Sequence, residues 1–139
     1  MLIDDDKDDQ EIFSIAVNKI SNKIECIFAD GCDQALALLN SSIAIPDIIF
    51  LDLNMPRING KVCLGSIKKI AQVKNIPVVI YSTSSDPKDF IETKALGAES
   101  FLTKPSDIDV LAKLLTEILD AHLQKSMANT LSNTNKNFA

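Results

Sequence analysis

The chain has 139 residues, 46% of them apolar and 24% charged, with a net charge of −5, which fits one globular domain with a core of its own. It carries no basic stripe to meet a phosphate backbone, no apolar run near the roughly 20 residues that a bilayer requires, and no leader-like start. The expectation is a cytoplasmic protein that contacts neither nucleic acid nor membrane directly.

In chain order, Met1-Leu2-Ile3 is a short apolar run that ends in Asp4-Asp5-Asp6. Asp8 and Asp9 suit the positive end of a helix, and Ile12, Phe13, Ala16, Val17 and Ile20 recur behind them at helical spacing. Ile24 to Ala29 follows as a short strand. Asp30 is placed to cap a helix carrying Ala35, Leu36, Leu38 and Leu39, and Pro46 closes the next loop. Ile48-Ile49-Phe50-Leu51 is a continuous apolar run, the mark of a parallel strand buried on both faces; it ends on Asp52 and is cut off by Pro56. A helix from about Lys61 to Ile70 comes next, then a strand from Ile76 to Tyr81 that runs into Ser82-Thr83-Ser84-Ser85. Asp86-Pro87 opens another helix, with proline at the first turn where its fixed φ fits, and Gly97 closes it. Glu99 to Thr103 is a fifth strand leading into Lys104-Pro105. The last helix covers about Asp107 to Gln124, with Ile108, Leu111, Leu114, Leu115 and Ile118 on one face. From Ser126 large apolar residues are few, so residues 1–125 read as the domain and 126–139 as a frayed tail.

Cys26, Cys32 and Cys63 lack the spacing of a zinc site and lie in or beside apolar segments, so they read as buried structural thiols. The single histidine, His122, has no partner nearby in sequence, which disfavours a Ser-His-Asp or Cys-His nucleophile.

Five alternations of strand and helix predict an α/β fold of the flavodoxin-like, doubly wound kind: a five-stranded parallel sheet in the order 2-1-3-4-5 with five helices. In that order the first and third strands are neighbours at the switch point, so Asp4, Asp5 and Asp52 converge at the carboxyl edge of the sheet. Crowded carboxylates repel one another and are tolerated where a divalent cation neutralises them; a few hard oxygens with open positions suit Mg²⁺. Ser82 and Lys104 end the fourth and fifth strands at the same edge. A metal on one side, with a hydroxyl and a cation on the other, makes the parts of a site for a phosphoryl group on Asp52.

The motifs Ile3-Asp4-Asp5, Leu51-Asp52-Leu53-Asn54-Met55-Pro56, Val79-Ile80-Tyr81-Ser82 and Gly97-Ala98-Glu99-Ser100-Phe101-Leu102-Thr103-Lys104-Pro105 stand in this order, with Ser82 thirty residues after Asp52 and Lys104 twenty-two after Ser82. From Leu2 to about Gln124 the chain closely resembles the receiver domain of two-component response regulators. The resemblance implies that Asp52 is the phosphoacceptor, loaded from a sensor histidine kinase or a histidine phosphotransfer protein. It implies Mg²⁺ held by Asp5, Asp52 and the backbone carbonyl of Asn54, with Asp4 acting through water. Lys104 would pair with Asp52 and then with the phosphoryl oxygens, Ser82 would be the switch hydroxyl, and Phe101 the aromatic whose rotamer follows it. A cis bond at Lys104-Pro105 is also usual in the family. Thr83 departs from the pattern, which more often has Ala or Gly there. Together with Ser84 it is expected to modulate hydrolysis, since neither Ser84 nor Asn54 offers a carboxylate to orient water.

The expected output is a protein contact with an unknown downstream partner, because no output domain follows, and the chain would not be a stand-alone enzyme beyond its own phosphotransfer and autodephosphorylation. The alternative is an aspartyl-phosphate phosphatase acting on small molecules, but that chemistry uses a second Asp two residues past the nucleophile, where this chain has Asn54.

Overall fold

The structure is a computed structural model that describes residues 1–43 and 45–137. Five parallel strands, β1 (Leu2–Ile3), β2 (Phe28–Ala29), β3 (Ile49–Leu51), β4 (Val78–Ser82) and β5 (Ser100–Thr103), form one sheet in the order β2-β1-β3-β4-β5. The helices between and after them are α1 (Lys7–Ile20), α2 (Cys32–Asn40), α3 (Gly60–Lys68), α4 (Pro87–Ala95) and α5 (Ile108–Asn137). The expected flavodoxin-like order is the one observed. Its central strands begin later than the apolar runs that announced them, β1 at Leu2, β3 at Ile49 and β4 at Val78, just past Pro77.

Alternation along the strands splits the core in two. Ile3, Leu51, Val78 and Ile80 pack with Cys63, Leu64 and Ile67 of α3 and Leu39 of α2. Leu2, Phe50, Val79 and Tyr81 pack on the other face with Phe13, Ala16 and Val17 of α1 and Leu111 and Leu115 of α5. Phe13 meets Phe50 and Tyr81 edge-on, with ring centroids 5.1 and 5.5 Å apart.

Four details depart from the sequence reading. Cys32 and Cys63, expected as free buried thiols, form a disulfide between α2 and α3, while Cys26 is a free, half-buried thiol. The two helices lie side by side on one face of the sheet and bring the Cα atoms to 5.6 Å, within ordinary disulfide reach. Asp30 does not cap α2: Gly31 stands at the N-cap without a side-chain bond, and the Asp30 carboxylate instead accepts from Lys7 and Gln10. The last helix does not stop near Gln124 but continues to Asn137, with the side chains from Leu123 to Lys136 exposed. The extension is held by its own helical bonding, with Thr130 and Thr134 hydroxyls donating back to Ser126 and Thr130 carbonyls. The final two tail residues, 138 and 139, lie outside the described residues. Among the described residues every peptide bond is trans, Lys104-Pro105 included, which corrects the cis expectation and agrees with the ordinary preference of X-Pro bonds.

No helix among the described residues is long and apolar enough to cross a membrane.

Candidate functional site

The sheet register builds the site. Ile3 pairs with Leu51, so the next residues, Asp4 and Asp52, leave neighbouring strands side by side. The N–H of Asp52 donates to the Ile3 carbonyl and that of Asp4 to the Ala29 carbonyl, each at 3.0 Å, which holds both backbones in the ladder to its last rung. Ser82 pairs with Thr103, and the Lys104 N–H then donates to the Ser82 carbonyl at 2.8 Å.

Asp4, Asp5 and Asp52 each offer a carboxylate oxygen within 4.8 Å of the others. Their surroundings differ. Asp4 is fully buried and occupied on both oxygens: Oδ1 accepts the Asp6 N–H at 3.0 Å and Oδ2 the Lys104 ammonium at 2.7 Å. Asp52 is buried, with Oδ1 accepting the Asn54 N–H at 3.3 Å and Oδ2 standing 3.8 Å from Lys104 Nζ. Asp5 is exposed and makes no ion pair or side-chain hydrogen bond among the described residues. Burial raises the carboxyl pKa of both Asp4 and Asp52, against the opposing pull of Lys104. A pocket that desolvates two carboxylates and keeps a third beside them fits a hard divalent cation, with Asp5 and Asp52 the acids open to direct ligation.

Lys104 is the centre of the cationic side. Its side chain is 9% exposed and donates at 2.7 Å to Asp4 and, equally, to Asp9. Burial works against its charge, but the hydrogen bonds to Asp4 and Asp9 prevail and hold it above the usual lysine range. The ammonium also stands 5.0 Å above the Tyr81 ring. Burial pushes the Tyr81 phenol up to about 12. The expected Lys104–Asp52 pair is thus present but longer than the pairs with Asp4 and Asp9.

Ser82 is fully buried, and its Oγ accepts the Ser84 N–H at 3.2 Å. Thr83 is exposed. The Ser84 hydroxyl donates to Asp89 of α4, whose carboxylate is also paired with Lys61 of α3 at 2.6 Å. Phe101 lies further along, half-buried, with its ring centroid 4.1 Å from that of Phe90. A groove of about 340 Å³ runs beside this pair, lined by Thr93, Lys94 and Ala98 among others.

Sequence reasoning missed two residues here. In the sequence Asp9 carries only the signal of a helix-end acid, because any Asp in a first turn is favoured there; its role as a lysine partner depends on the start of α1 meeting Lys104, just past β5. Gly60 lies outside the four motifs, although a glycine opening a helix eight residues after an acid is a visible signal. The Gly60 N–H donates to the Leu53 carbonyl at 2.9 Å, and a Cβ on Gly60 would lie 2.2 Å from the Asp52 carbonyl oxygen. Only glycine lets α3 start that close to the Asp52 loop.

A five-stranded parallel sheet in this order, with carboxylates at the β1 and β3 ends and a lysine after β5, defines a receiver-type α/β protein. The chain belongs to the response regulator receiver domain family, whose model matches residues 1–116. Response regulator Rcp1 of Synechocystis sp. is 29% identical over 123 residues, covering 85% of this chain and 84% of Rcp1. PilH of Pseudomonas aeruginosa is 35% identical over 74 residues, 53% of this chain and 61% of PilH, so the chain spans less than two thirds of that relative. Among solved structures, the phosphorylated cyanobacterial phytochrome response regulator RcpA is similar with a TM-score of 0.80 and 28% identity over 89% of this chain and 92% of RcpA. The Mn²⁺-bound form of response regulator Rcp1 gives 0.74 and 30% identity over 84% and 88%.

Proposed function

We propose that this receiver domain is a phosphoacceptor in a two-component pathway, with Asp52 as the nucleophile. The observation that carries the reading is the buried Asp52 carboxylate with oxygens of Asp4 and Asp5 within 4.8 Å and the Lys104 ammonium at 3.8 Å. An Asp52 carboxylate oxygen attacks the phosphorus of a phosphohistidine on a sensor kinase or phosphotransfer protein; the new O–P bond forms as the P–N bond breaks, and the electron pair leaves with the imidazole nitrogen. Mg²⁺, when bound, offsets the negative charge gathered between the carboxylates and the phosphoryl oxygens. Asp5, Asp52 and the Asn54 carbonyl would hold it, and Asp4, whose oxygens are already engaged, would act through water; a Mn²⁺-bound relative of similar fold supports a divalent cation here. Lys104 carries positive charge to the phosphoryl oxygens and Ser82 supplies the switch hydroxyl.

The output is a protein contact. Phe90 and Ile91 of α4 expose apolar surface beside Phe101, so a rearrangement at Ser82 that moves Phe101 alters this face for a downstream partner. Thr83, next to the switch residue, shields the phosphoryl group from in-line water and lengthens its lifetime, an effect read by comparing phospho-Asp52 decay in the parent and in Thr83→Ala.

Treatment with acetyl phosphate and Mg²⁺ followed by mass spectrometry tests the assignment. The parent gains one phosphoryl group and Asp52→Asn gains none; an equal gain in the mutant overturns the choice of Asp52. Chelating the Mg²⁺ blocks the gain.

A further inference from the structure

Lys104 is shared unevenly among its carboxylates. Its ammonium touches Asp4 and Asp9 at 2.7 Å each and stands back from Asp52 at 3.8 Å. The lysine side chain is 9% exposed and that of Asp9 31%. Asp9 is fixed from within its own helix: Asp6 caps α1 by accepting the N–H groups of Asp8 and Asp9, which sets the first turn and the direction in which Asp9 leaves it. Gln10, on the same turn, donates to the Asp4 carbonyl and to Asp30, each at 2.8 Å, and ties that turn to β1 and to the loop after β2.

An ammonium seated between Asp4 and Asp52 would satisfy both buried carboxylates and compete with a divalent cation for the same oxygens. We propose that Asp9 is a positioning residue for this site: it draws Lys104 to the α1 side of the pocket, off Asp52, and so keeps the Asp5–Asp52 side open to Mg²⁺. The proposal rests on the reading of Asp5 and Asp52 as Mg²⁺ ligands. Without Asp9 the lysine keeps Asp4 and relaxes toward the next acid, Asp52, now 3.8 Å away, and becomes a built-in competitor of the metal.

The test is the Mg²⁺ affinity of the full chain, measured by calorimetric titration together with the metal-free melting temperature, in the parent, Asp9→Asn, Lys104→Met and the double variant. Asp9→Asn weakens Mg²⁺ binding roughly threefold or more while Lys104 is present, and by much less in the Lys104→Met background, where there is no ammonium to move. Asp9→Glu restores most of the affinity. Asp8→Asn, which removes the same charge from the same turn at an exposed position, leaves Mg²⁺ binding near the parent value. Equal weakening in both lysine backgrounds, or the same loss in Asp8→Asn, shows a simple charge effect and overturns the proposal, as does an Asp9→Asn variant with parental affinity. A parent that binds no Mg²⁺ overturns the metal-site reading and this proposal together, whereas a binding parent with an inert Asp9→Asn removes the proposal alone.

Discussion

The Cα of Gly60 lies against the backbone of Asp52 so closely that an added Cβ would come within 2.2 Å of the Asp52 carbonyl oxygen and 2.6 Å of the Leu53 Cα. Both clashing atoms are backbone, so no rotamer change relieves them. Gly60→Ala is expected to destabilise the fold by roughly 2–3 kcal/mol, as overpacking at a closed contact does, and to slow phosphorylation by shifting the Asp52 loop. Urea unfolding and acetyl phosphate uptake measure the two effects. A parental midpoint and rate would show that the loop yields without consequence.

The two buried carboxylates give the metal-free protein a signed pH dependence. Asp4 and Asp52 have raised pKa values, chiefly from desolvation, so the folded state holds protons that the unfolded chain has already released. Their contribution to stability is present below the ordinary carboxylate pKa and is lost as pH rises through the raised values. Lys104, held above the lysine range, keeps its contribution throughout that window. Metal-free melting temperature should therefore fall on this account between acid and neutral pH, while the increment from Mg²⁺ grows. At neutral pH Asp52→Asn should stabilise the metal-free protein by roughly 0.5–2 kcal/mol, the usual gain when strain at a functional site is released. A Mg²⁺ increment that is the same at acid and neutral pH would contradict the assignment.

Reduction of the Cys32–Cys63 disulfide opens a loop closed across 31 residues. Chain-entropy reasoning gives a loss of roughly 3–4 kcal/mol, and the Cys32→Ala, Cys63→Ala double variant should match the reduced parent once the lost packing is allowed for. Denaturant curves with and without reductant measure it. Coincident curves would show that the pair does not stabilise the fold.

Tyr81 is the sole tyrosine, so an ultraviolet titration reports it alone. Its phenol should ionise at about 12, well above the ordinary value near 10, because burial disfavours the phenolate. The neutral phenol's contribution to stability is complete below the ordinary pKa and is lost as pH rises toward 12. A midpoint near 10 in the folded protein would show that the ring is more hydrated than its packing on Phe13 implies.

The sequence by itself determined the sheet and the main residues of the site. Continuous apolar runs such as Ile48-Ile49-Phe50-Leu51, bounded by turn residues, mark parallel strands covered on both faces, and parallel strands carry their last or following residues to one edge, so Asp4, Asp52, Ser82 and Lys104 meet there. What lies across elements was decided only in three dimensions. Asp9 and Lys104 are 95 residues apart, and nothing local distinguishes an aspartate that serves a helix terminus from one that also holds a lysine. Cys32 and Cys63 pair because α2 and α3 pack side by side on the same face of the sheet, and Gly60 is required because α3 begins against the loop that carries Asp52. Periodicity and turn residues encode contacts along a segment; the partner of a side chain on another segment depends on helix placement, which the sum of the packing interactions fixes.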